Sequence, residues 1–126
     1  MYAVIGAGPM GLAAARNLDR QGIAFTGFEQ HSDVGGLWDI DNPHSTMYET
    51  AHLISSKTTT EFAEFPMPAS VAPYPRHDEM RRYFRDYARH FDLYRHFEFS
   101  TRVIEAKPDG DGWLVTSESG GERRTR

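Results

Sequence analysis

The chain has no cysteine among its 126 residues, and this absence removes several kinds of chemistry at once. A disulfide framework, a thiolate metal site and a cysteine nucleophile are all excluded. The sequence also lacks a run of about 18 apolar residues, so we expect no membrane-spanning helix. A composition without cysteine is compatible with a reducing compartment, and we expect the protein to be cytoplasmic.

Positive charge and metal-ligand spacings are also scarce. Lys and Arg number 14 against 18 Asp and Glu, and the net charge of −4 argues against nucleic acid as the main partner. No pair of histidines has HxxxH or HExxH spacing with a supporting carboxylate, so we predict no metal site. Apolar residues make up 39% of the chain, which is sufficient for one ordinary globular core.

The first 30 residues predict a strand, a glycine turn, a helix and a second strand. Tyr2–Ile5 and Ile23–Phe28 are short apolar runs, suited to strands that are buried on both faces of a parallel sheet. Pro9–Arg20 predicts the helix, since proline suits a first helical position and alanines follow it. The turn matches G-x-G-x-x-G with Gly6, Ala7, Gly8, Pro9, Met10 and Gly11.

This placement turns a weak motif into a hypothesis of dinucleotide binding. The glycines permit a tight turn and a close approach to a pyrophosphate, which the helix N-terminus attracts. Glu29 follows Gly11 by 18 residues, near the roughly 20-residue spacing of a carboxylate that accepts ribose hydroxyl groups. It would repel a 2′-phosphate, so the nucleotide bound here should not be NADP. Gly35 and Gly36, followed by Leu37 and Trp38, permit a second close approach, and these residues alone leave FAD and NAD both open.

The rest of the chain divides into a long connection, a helix and a β-meander. Residues Gln30–Arg76 contain five prolines and no sustained periodicity, and we expect short ordered pieces there, including a strand near His52–Ser55. His77–Phe91 has the spacing of an amphipathic helix. Phe97–Phe99 predicts a third parallel strand, and the segment after it predicts antiparallel strands joined by glycine-rich turns, with Arg102–Ala106 and Trp113–Ser117 as the first two.

Two groups of side chains have ordinary structural interpretations. We expect six arginines to lie on a solvated helix face, where they pair with nearby acidic residues; they are Arg76, Arg81, Arg82, Arg85, Arg89 and Arg95. Trp113 is expected to be a core residue of the meander.

The sequence resembles the N-terminal part of the flavin-containing monooxygenases, from Met1 to about Val115. Many FAD oxidoreductases share the first glycine motif and the Glu-x5-Gly-Gly pattern, whereas Leu37-Trp38 and Phe62-x-x-Phe65-Pro66-Met67-Pro68 are more specific. Further matching segments are Ala15 and Gly22, His44-Ser45-Thr46-Met47-Tyr48, Ser55-Ser56-Lys57, and Tyr74-Pro75 leading to Tyr83, Tyr87, Phe91 and Leu93.

The resemblance implies an α/β, Rossmann-like FAD-binding domain with a parallel sheet and an antiparallel β-meander, incomplete at its C-terminus. It also implies FAD and NADPH as cofactors, with the NADPH site mostly outside this chain. Members of the family capture O2 as a flavin C4a-hydroperoxide and transfer one oxygen to a small-molecule amine nitrogen or thioether sulfur. By the same resemblance, a related FAD oxidoreductase such as a ketone-oxygenating monooxygenase, or a non-catalytic FAD-binding fragment, stays an alternative.

The resemblance also assigns site residues one by one. The backbone of Gly6–Gly11 would hold the pyrophosphate, and Glu29 with Gln30 the adenosine ribose. The ribityl and ring region would contact Gly36, Leu37, Trp38, His44 and Ser55, and the backbone of Val103 would contact the adenine. No catalytic side chain is assigned. Ile54 and Ser55 should lie near the flavin, but Ile54 stands where the family commonly has an asparagine, and isoleucine cannot form a side-chain hydrogen bond.

We therefore interpret the chain as the N-terminal portion of an FAD-binding domain within a longer enzyme, and expect it to be inactive alone. Its predicted parts are a βαβ dinucleotide unit (1–30), a flavin-contacting connection (31–76), a helix with the third strand (77–100) and the start of the meander (101–126). In this fold type the second strand neighbour of Tyr2–Ile5 comes after the meander, so we expect a chain that ends at Arg126 to leave one side of this strand unpaired. Its free edge should therefore be apolar and prone to self-association.

Overall fold

The computed structural model describes residues 1–126, which form two three-stranded sheets and three helices. The parallel sheet contains strands β1 (Tyr2–Ile5), β2 (Phe25–Phe28) and β3 (Phe97–Glu98), in that spatial order. The antiparallel sheet contains β4 (Arg102–Asp109), β5 (Gly112–Ser119) and β6 (Glu122–Thr125). The helices are α1 (Pro9–Arg20), α2 (Lys57–Thr60) and α3 (His77–His90). This architecture confirms the predicted α/β fold.

Helix α1 has the bounds that the sequence predicts. Pro9 lies in its first turn, where a missing N–H is harmless because no helical acceptor precedes it. The helix ends at Arg20, and Gly22 then adopts a φ of +67° and donates its N–H to the carbonyl of Asp19. Leu12 and Ala15 face the sheet and are fully buried. The glycine turn that precedes the helix therefore lies at the carboxyl end of β1.

Strand β1 differs from its predicted burial. Only Val4 is buried, whereas Tyr2 and Ile5 are 63% and 59% exposed. Both side chains line an open groove that faces the antiparallel sheet, and β1 is also an edge strand with no strand on its free side. Strand β2 also begins at Phe25 rather than Ile23.

Two further expectations are wrong. No strand forms near His52–Ser55, where His52 makes a single bridge to Arg76. Trp113 is 65% exposed instead of buried, because its position on β5 faces an open groove of about 1040 Å³ that β1 lines on the other side.

An aromatic cluster explains why the long connection is ordered. The ring of Phe62 stacks on Tyr87 with 4.4 Å between centroids, and Phe65 stacks on Tyr83 at 5.6 Å. The Tyr83 hydroxyl donates to the carbonyl of Phe65 at 2.6 Å and accepts the N–H of Phe62 at 2.8 Å. The Phe-x-x-Phe segment is thus anchored on the apolar face of α3, which also buries Met80, Phe84 and Ala88.

The burial of Tyr87 predicts a stability change at high pH. Burial raises the pKa of Tyr87 to about 12, whereas an unfolded tyrosine titrates near 10. The unfolded chain then loses its proton first, so this stabilisation is complete below about pH 10 and is lost as the pH rises through the folded value. We expect the free energy of unfolding to fall by about 2–3 kcal/mol more in wild type than in Tyr87→Phe between pH 9.5 and 12.

Urea unfolding of both proteins across this pH range measures the difference. The subtraction removes the parallel contributions of Tyr83 and Tyr94, whose pKa values burial also raises. Equal pH dependence in the two proteins would contradict the assignment of the raised pKa to Tyr87.

None of the helices is both long and apolar enough to cross a membrane.

Candidate dinucleotide-binding site

The three glycine positions of the first turn differ in why they favour, require or tolerate a residue without a side chain. Gly6 has a φ of +99°, a conformation that favours glycine. A Cβ on Gly11 would lie 1.9 Å from the carbonyl oxygen of Gly6, so only glycine lets α1 pack this close to the turn. Gly8 is different, because a Cβ there would meet only the Cα of Gly36, at 3.6 Å. The fold therefore requires Gly11, while the space above Gly8 remains open for a ligand.

The N-terminus of α1 is available to an anion. Gly8 caps the helix without a side-chain hydrogen bond, and no acidic residue lies in the first turn. The backbone N–H groups and the helix dipole at this end favour negative charge. Met10, at the same end, is 82% exposed. This terminus therefore fits a phosphate or pyrophosphate.

Glu29 lies directly beside the glycine turn and is only 6% exposed. One carboxylate oxygen accepts the N–H of Ala7 at 2.7 Å, and the other accepts the N–H of His31 at 2.8 Å. A carboxylate oxygen has two lone pairs, so each retains capacity for another donor such as a ribose hydroxyl. Glu29 thus has a structural role in the turn, and its contact with a ribose stays a prediction.

The second pair of glycines packs against the first turn. Gly35 and Gly36 have φ values of +123° and +57°, and they open a 3-10 turn over Gly36–Trp38. The N–H of Gly35 donates to the carbonyl of Ala7 at 3.1 Å. A Cβ on Gly36 would lie 2.9 Å from the Cα of Gly8. Two segments that are far apart in sequence therefore form one backbone cradle, with Leu37 half exposed at its rim.

The other residues predicted to contact the cofactor differ in their exposure and in their hydrogen bonds. His44 is exposed, and Ser45 beside it donates its hydroxyl to the carbonyl of Leu37. Ile54 is 92% exposed, and the Ser55 hydroxyl lies 2.7 Å from that of Thr60. Gln30 is exposed, and Val103 is half-buried in β4 beyond Thr101, whose N–H donates to the carbonyl of Glu29 at 2.9 Å. Their cofactor contacts stay predictions.

Comparison with known proteins identifies the family. Residues 1–124 match the family model described as flavin-binding monooxygenase-like. The chain belongs to this family. It is 41% identical over 112 residues to probable flavin-containing monooxygenase 1 of Arabidopsis thaliana, an alignment that covers 87% of this chain and 20% of that protein. The chain therefore spans about a fifth of the length of that relative.

Solved structures show the same fold. S-allyl-L-cysteine S-oxygenase from Allium sativum superposes with a TM-score of 0.86 and 26% identity, over 98% of this chain and 34% of the other. The OTEMO complex with FAD and NADP superposes with a TM-score of 0.80 and 26% identity, over 98% of this chain and 24% of the other. The comparison confirms the family resemblance carried by the glycine motifs and the Phe-x-x-Phe segment.

The arginines of α3 in this flavin-binding monooxygenase domain are not all solvated, which corrects the sequence interpretation. Arg81 and Arg85 are only about a quarter exposed, at 25% and 24% of their side chains. Both reach the fully buried carboxylate of Asp39, at 3.2 and 2.9 Å. Arg85 also lies 3.1 Å from Asp33. Arg82 and Arg89, in contrast, are exposed as predicted.

These contacts keep Asp39 charged despite its burial. Burial alone would raise its pKa, but the N–H of Asp41, the Arg81 guanidinium and the charge of Arg85 together hold the pKa of Asp39 below its usual value. One sequence signal was available, since Arg81 and Arg85 are spaced i, i+4 and share one helix face. Their partners lie more than 40 residues earlier in the chain, however, and no local pattern connects them.

No cluster of three or more His, Asp or Glu side chains is arranged for a metal ion.

Proposed function

We propose that this chain is the FAD-binding part of an NADPH-dependent flavin monooxygenase, which inserts one oxygen atom from O2 into an amine nitrogen or a thioether sulfur. The observation that carries the proposal is the single cradle formed by the Gly6–Gly11 turn, the Glu29 carboxylate and the Gly35–Gly36 turn. The family description supports flavin binding. The similarity to an S-oxygenase, and to a protein solved with FAD and NADP, supports the reaction class.

The residues of the cradle fit a flavin dinucleotide in three ways. The uncapped N-terminus of α1 would bind the pyrophosphate through backbone N–H groups. Glu29 would accept the hydroxyls of the adenosine ribose, and its charge would disfavour a 2′-phosphate, so NADPH would bind elsewhere. The 3-10 turn with Leu37 and Trp38 would lie along the ribityl chain and the flavin ring.

The protein's contribution to the chemistry is binding, orientation and exclusion of water. Bound FAD would supply the oxygen-activating chemistry, so no side chain of this chain needs to act as a nucleophile or a general base. Ile54 has no hydrogen-bonding side chain and is 92% exposed. We propose that it contributes an apolar surface near the flavin, and that any polar contact there comes from Ser55 or from outside this chain.

Cofactor titration tests the proposal. We expect the purified chain to retain FAD in stoichiometric amount after gel filtration, with a flavin spectrum in the visible range, and to bind NADP much more weakly in the same titration. Anaerobic addition of NADPH should leave the bound flavin oxidised, because the reductive site would lie outside this chain. A colourless protein at saturating FAD would overturn the assignment of the cradle, and bleaching by NADPH would overturn the division of the two sites.

The substrate class needs a separate measurement on a polypeptide that contains this chain and an NADPH site. Oxygen uptake driven by NADPH should rise with a tertiary amine or a thioether and should not respond to a cyclic ketone. A response to the ketone alone would assign the protein to the ketone-oxygenating branch instead. Flavin binding without any oxygen uptake would leave only the binding function.

A further inference from the structure

The Gly35–Trp38 turn has few side-chain contacts at its glycine end. The Gly35 N–H donates to the carbonyl of Ala7, while Trp38 packs against the core at the other end of the turn. Its first two residues are glycines in the left-handed region, and Leu37 is 52% exposed. Glycine contributes no side-chain packing and gains the most conformational freedom when it is released. The turn nevertheless lies in van der Waals contact with Gly8, where a Cβ on Gly36 would come within 2.9 Å of backbone. At the two glycines only backbone contacts maintain this approach, so contacts made by the residues that follow them bear on its position.

Asp39 occupies the position from which the turn can be held. Its N–H caps the turn by donating to the carbonyl of Gly36 at 3.2 Å, and its carboxylate is fully buried. Arg81 contacts one carboxylate oxygen at 3.2 Å, and Arg85 contacts the other at 2.9 Å. Because both arginines belong to α3, the turn is joined to the helix that buries the most residues of the three.

The same carboxylate is connected to the predicted ribose site. The imidazole Nε2 of His31 lies 3.2 Å from Asp39, and the N–H of His31 donates to the Glu29 carboxylate at 2.8 Å. Two residues after His31, Asp33 pairs with Arg85 and accepts the Tyr94 hydroxyl at 2.6 Å. The arginines of α3 thus contact both Asp39, which follows the Gly35–Trp38 turn, and Asp33, in the segment that follows Glu29.

The burial of these charges argues for a positioning role. A buried ion pair is weak evidence for stability, because the cost of removing charges from water offsets much of their attraction. The packing of α3 does not require Asp39, since its apolar face already contacts the aromatic cluster. What the ion pairs add is a defined distance between α3 and the turn, since two guanidinium groups on opposite oxygens restrict the carboxylate's orientation.

We propose that Arg81, Arg85 and Asp39 form a clamp that positions the Gly35–Trp38 turn against Gly8 and so sets the affinity and environment of the flavin without touching it. The inference rests on the proposed function, since it assumes that the cradle binds FAD. It assigns three positioning residues that do not belong to either glycine motif. Release of the clamp would let the turn move away from Gly8 and would widen the cradle.

Substitutions on one helix test the clamp with a matched control. Arg81→Gln removes the charged guanidinium whose Nη1 reaches both Asp39 and Asp41, whereas Arg82→Gln makes the same change at an exposed neighbour. We expect Arg81→Gln and Asp39→Asn to weaken FAD binding by roughly tenfold, within the range by which residues away from a ligand alter coupling. Arg82→Gln should bind FAD as wild type does. Arg81→Lys, which keeps the positive charge but not the planar guanidinium, should restore part of the lost affinity.

The spectrum of bound flavin separates positioning from general destabilisation. At saturating FAD, visible circular dichroism of the bound flavin should change in Arg81→Gln and Asp39→Asn and stay unchanged in Arg82→Gln. Affinities within twofold of wild type, or an unchanged dichroism spectrum, would overturn the clamp while leaving the proposed function intact. If wild type itself does not bind FAD, the proposed function fails instead. Should Asp39→Asn not fold, the comparison of Arg81→Gln, Arg81→Lys and Arg82→Gln decides the question.

Discussion

Replacement of Gly11 by alanine is expected to destabilise the domain by more than about 3 kcal/mol, because overpacking against backbone has no easy relaxation. The added Cβ would lie 1.9 Å from the carbonyl oxygen of Gly6 and 2.8 Å from its carbonyl carbon. Neither atom belongs to a flexible side chain, so α1 would have to move away from β1. Urea unfolding followed by circular dichroism measures this loss.

Replacement of Gly8 by alanine should change the stability little and weaken FAD binding strongly. Gly8 has a φ of −74°, which any residue can adopt, and an added Cβ would meet only Gly36 at an ordinary contact distance of 3.6 Å. We expect a change in stability within about 1 kcal/mol, as for a surface substitution without strain. The methyl group would, however, occupy the space through which the pyrophosphate approaches, and FAD binding should weaken at least tenfold, about 1.4 kcal/mol.

Gly112→Ala is the matched control for both glycine variants. Gly112 starts β5, and an added Cβ there would approach only the carbonyl of Asp109, at 3.8 Å. This variant should retain wild-type stability and wild-type affinity for FAD. A Gly11→Ala protein with an unchanged unfolding midpoint would refute the packing role, and normal FAD binding by Gly8→Ala would refute the close approach of the cofactor.

Replacement of Glu29 is expected to reduce both stability and FAD affinity. Glu29→Ala would leave the N–H groups of Ala7 and His31 without their acceptor, at a cost of about 1–3 kcal/mol for each group left buried and unpaired. Loss of a charged acceptor for the ribose hydroxyls would weaken FAD binding by roughly 10–100-fold. Isothermal titration with FAD and thermal unfolding without it measure the two effects separately.

The amide variant sharpens the test of Glu29. In Glu29→Gln the side chain keeps one acceptor oxygen but places an NH2 group opposite a backbone N–H, because both present partners are donors. We therefore expect glutamine to be a poor substitute and to lose most of the affinity. Glu98→Gln, on the adjacent strand β3, removes a partly exposed carboxylate and should leave FAD binding unchanged. Full FAD affinity in Glu29→Ala would remove the ribose role.

Local patterns in the sequence determined most of the elements. A proline at the first helical position and a 3.6-residue apolar period depend only on neighbours along the chain. They placed α1 at its observed bounds and α3 to within one residue. The failures have a common cause, since the burial of β1 and of Trp113 depends on which segments cover them from a distance. Neither quantity is encoded in the periodicity of the strand itself.

In the candidate site, too, the features that depend on local sequence were predictable and the contacts between distant segments were not. The two glycine motifs and Glu29 were recognisable because each has to meet a local backbone requirement, such as a positive φ at Gly6 or a strand end at Glu29. Their convergence into one cradle, and the clamp of Arg81 and Arg85 on Asp39, appeared only in three dimensions.

The sequence by itself therefore determined the fold class, the position of the first glycine turn and the family. The tertiary structure alone decided how the second glycine pair is held against the first. The physical reason is distance along the chain. An arginine on an amphipathic helix has the same local pattern whether it faces water or a buried carboxylate more than 40 residues away, and only the packing of α3 against the Gly35–Trp38 turn distinguishes the two.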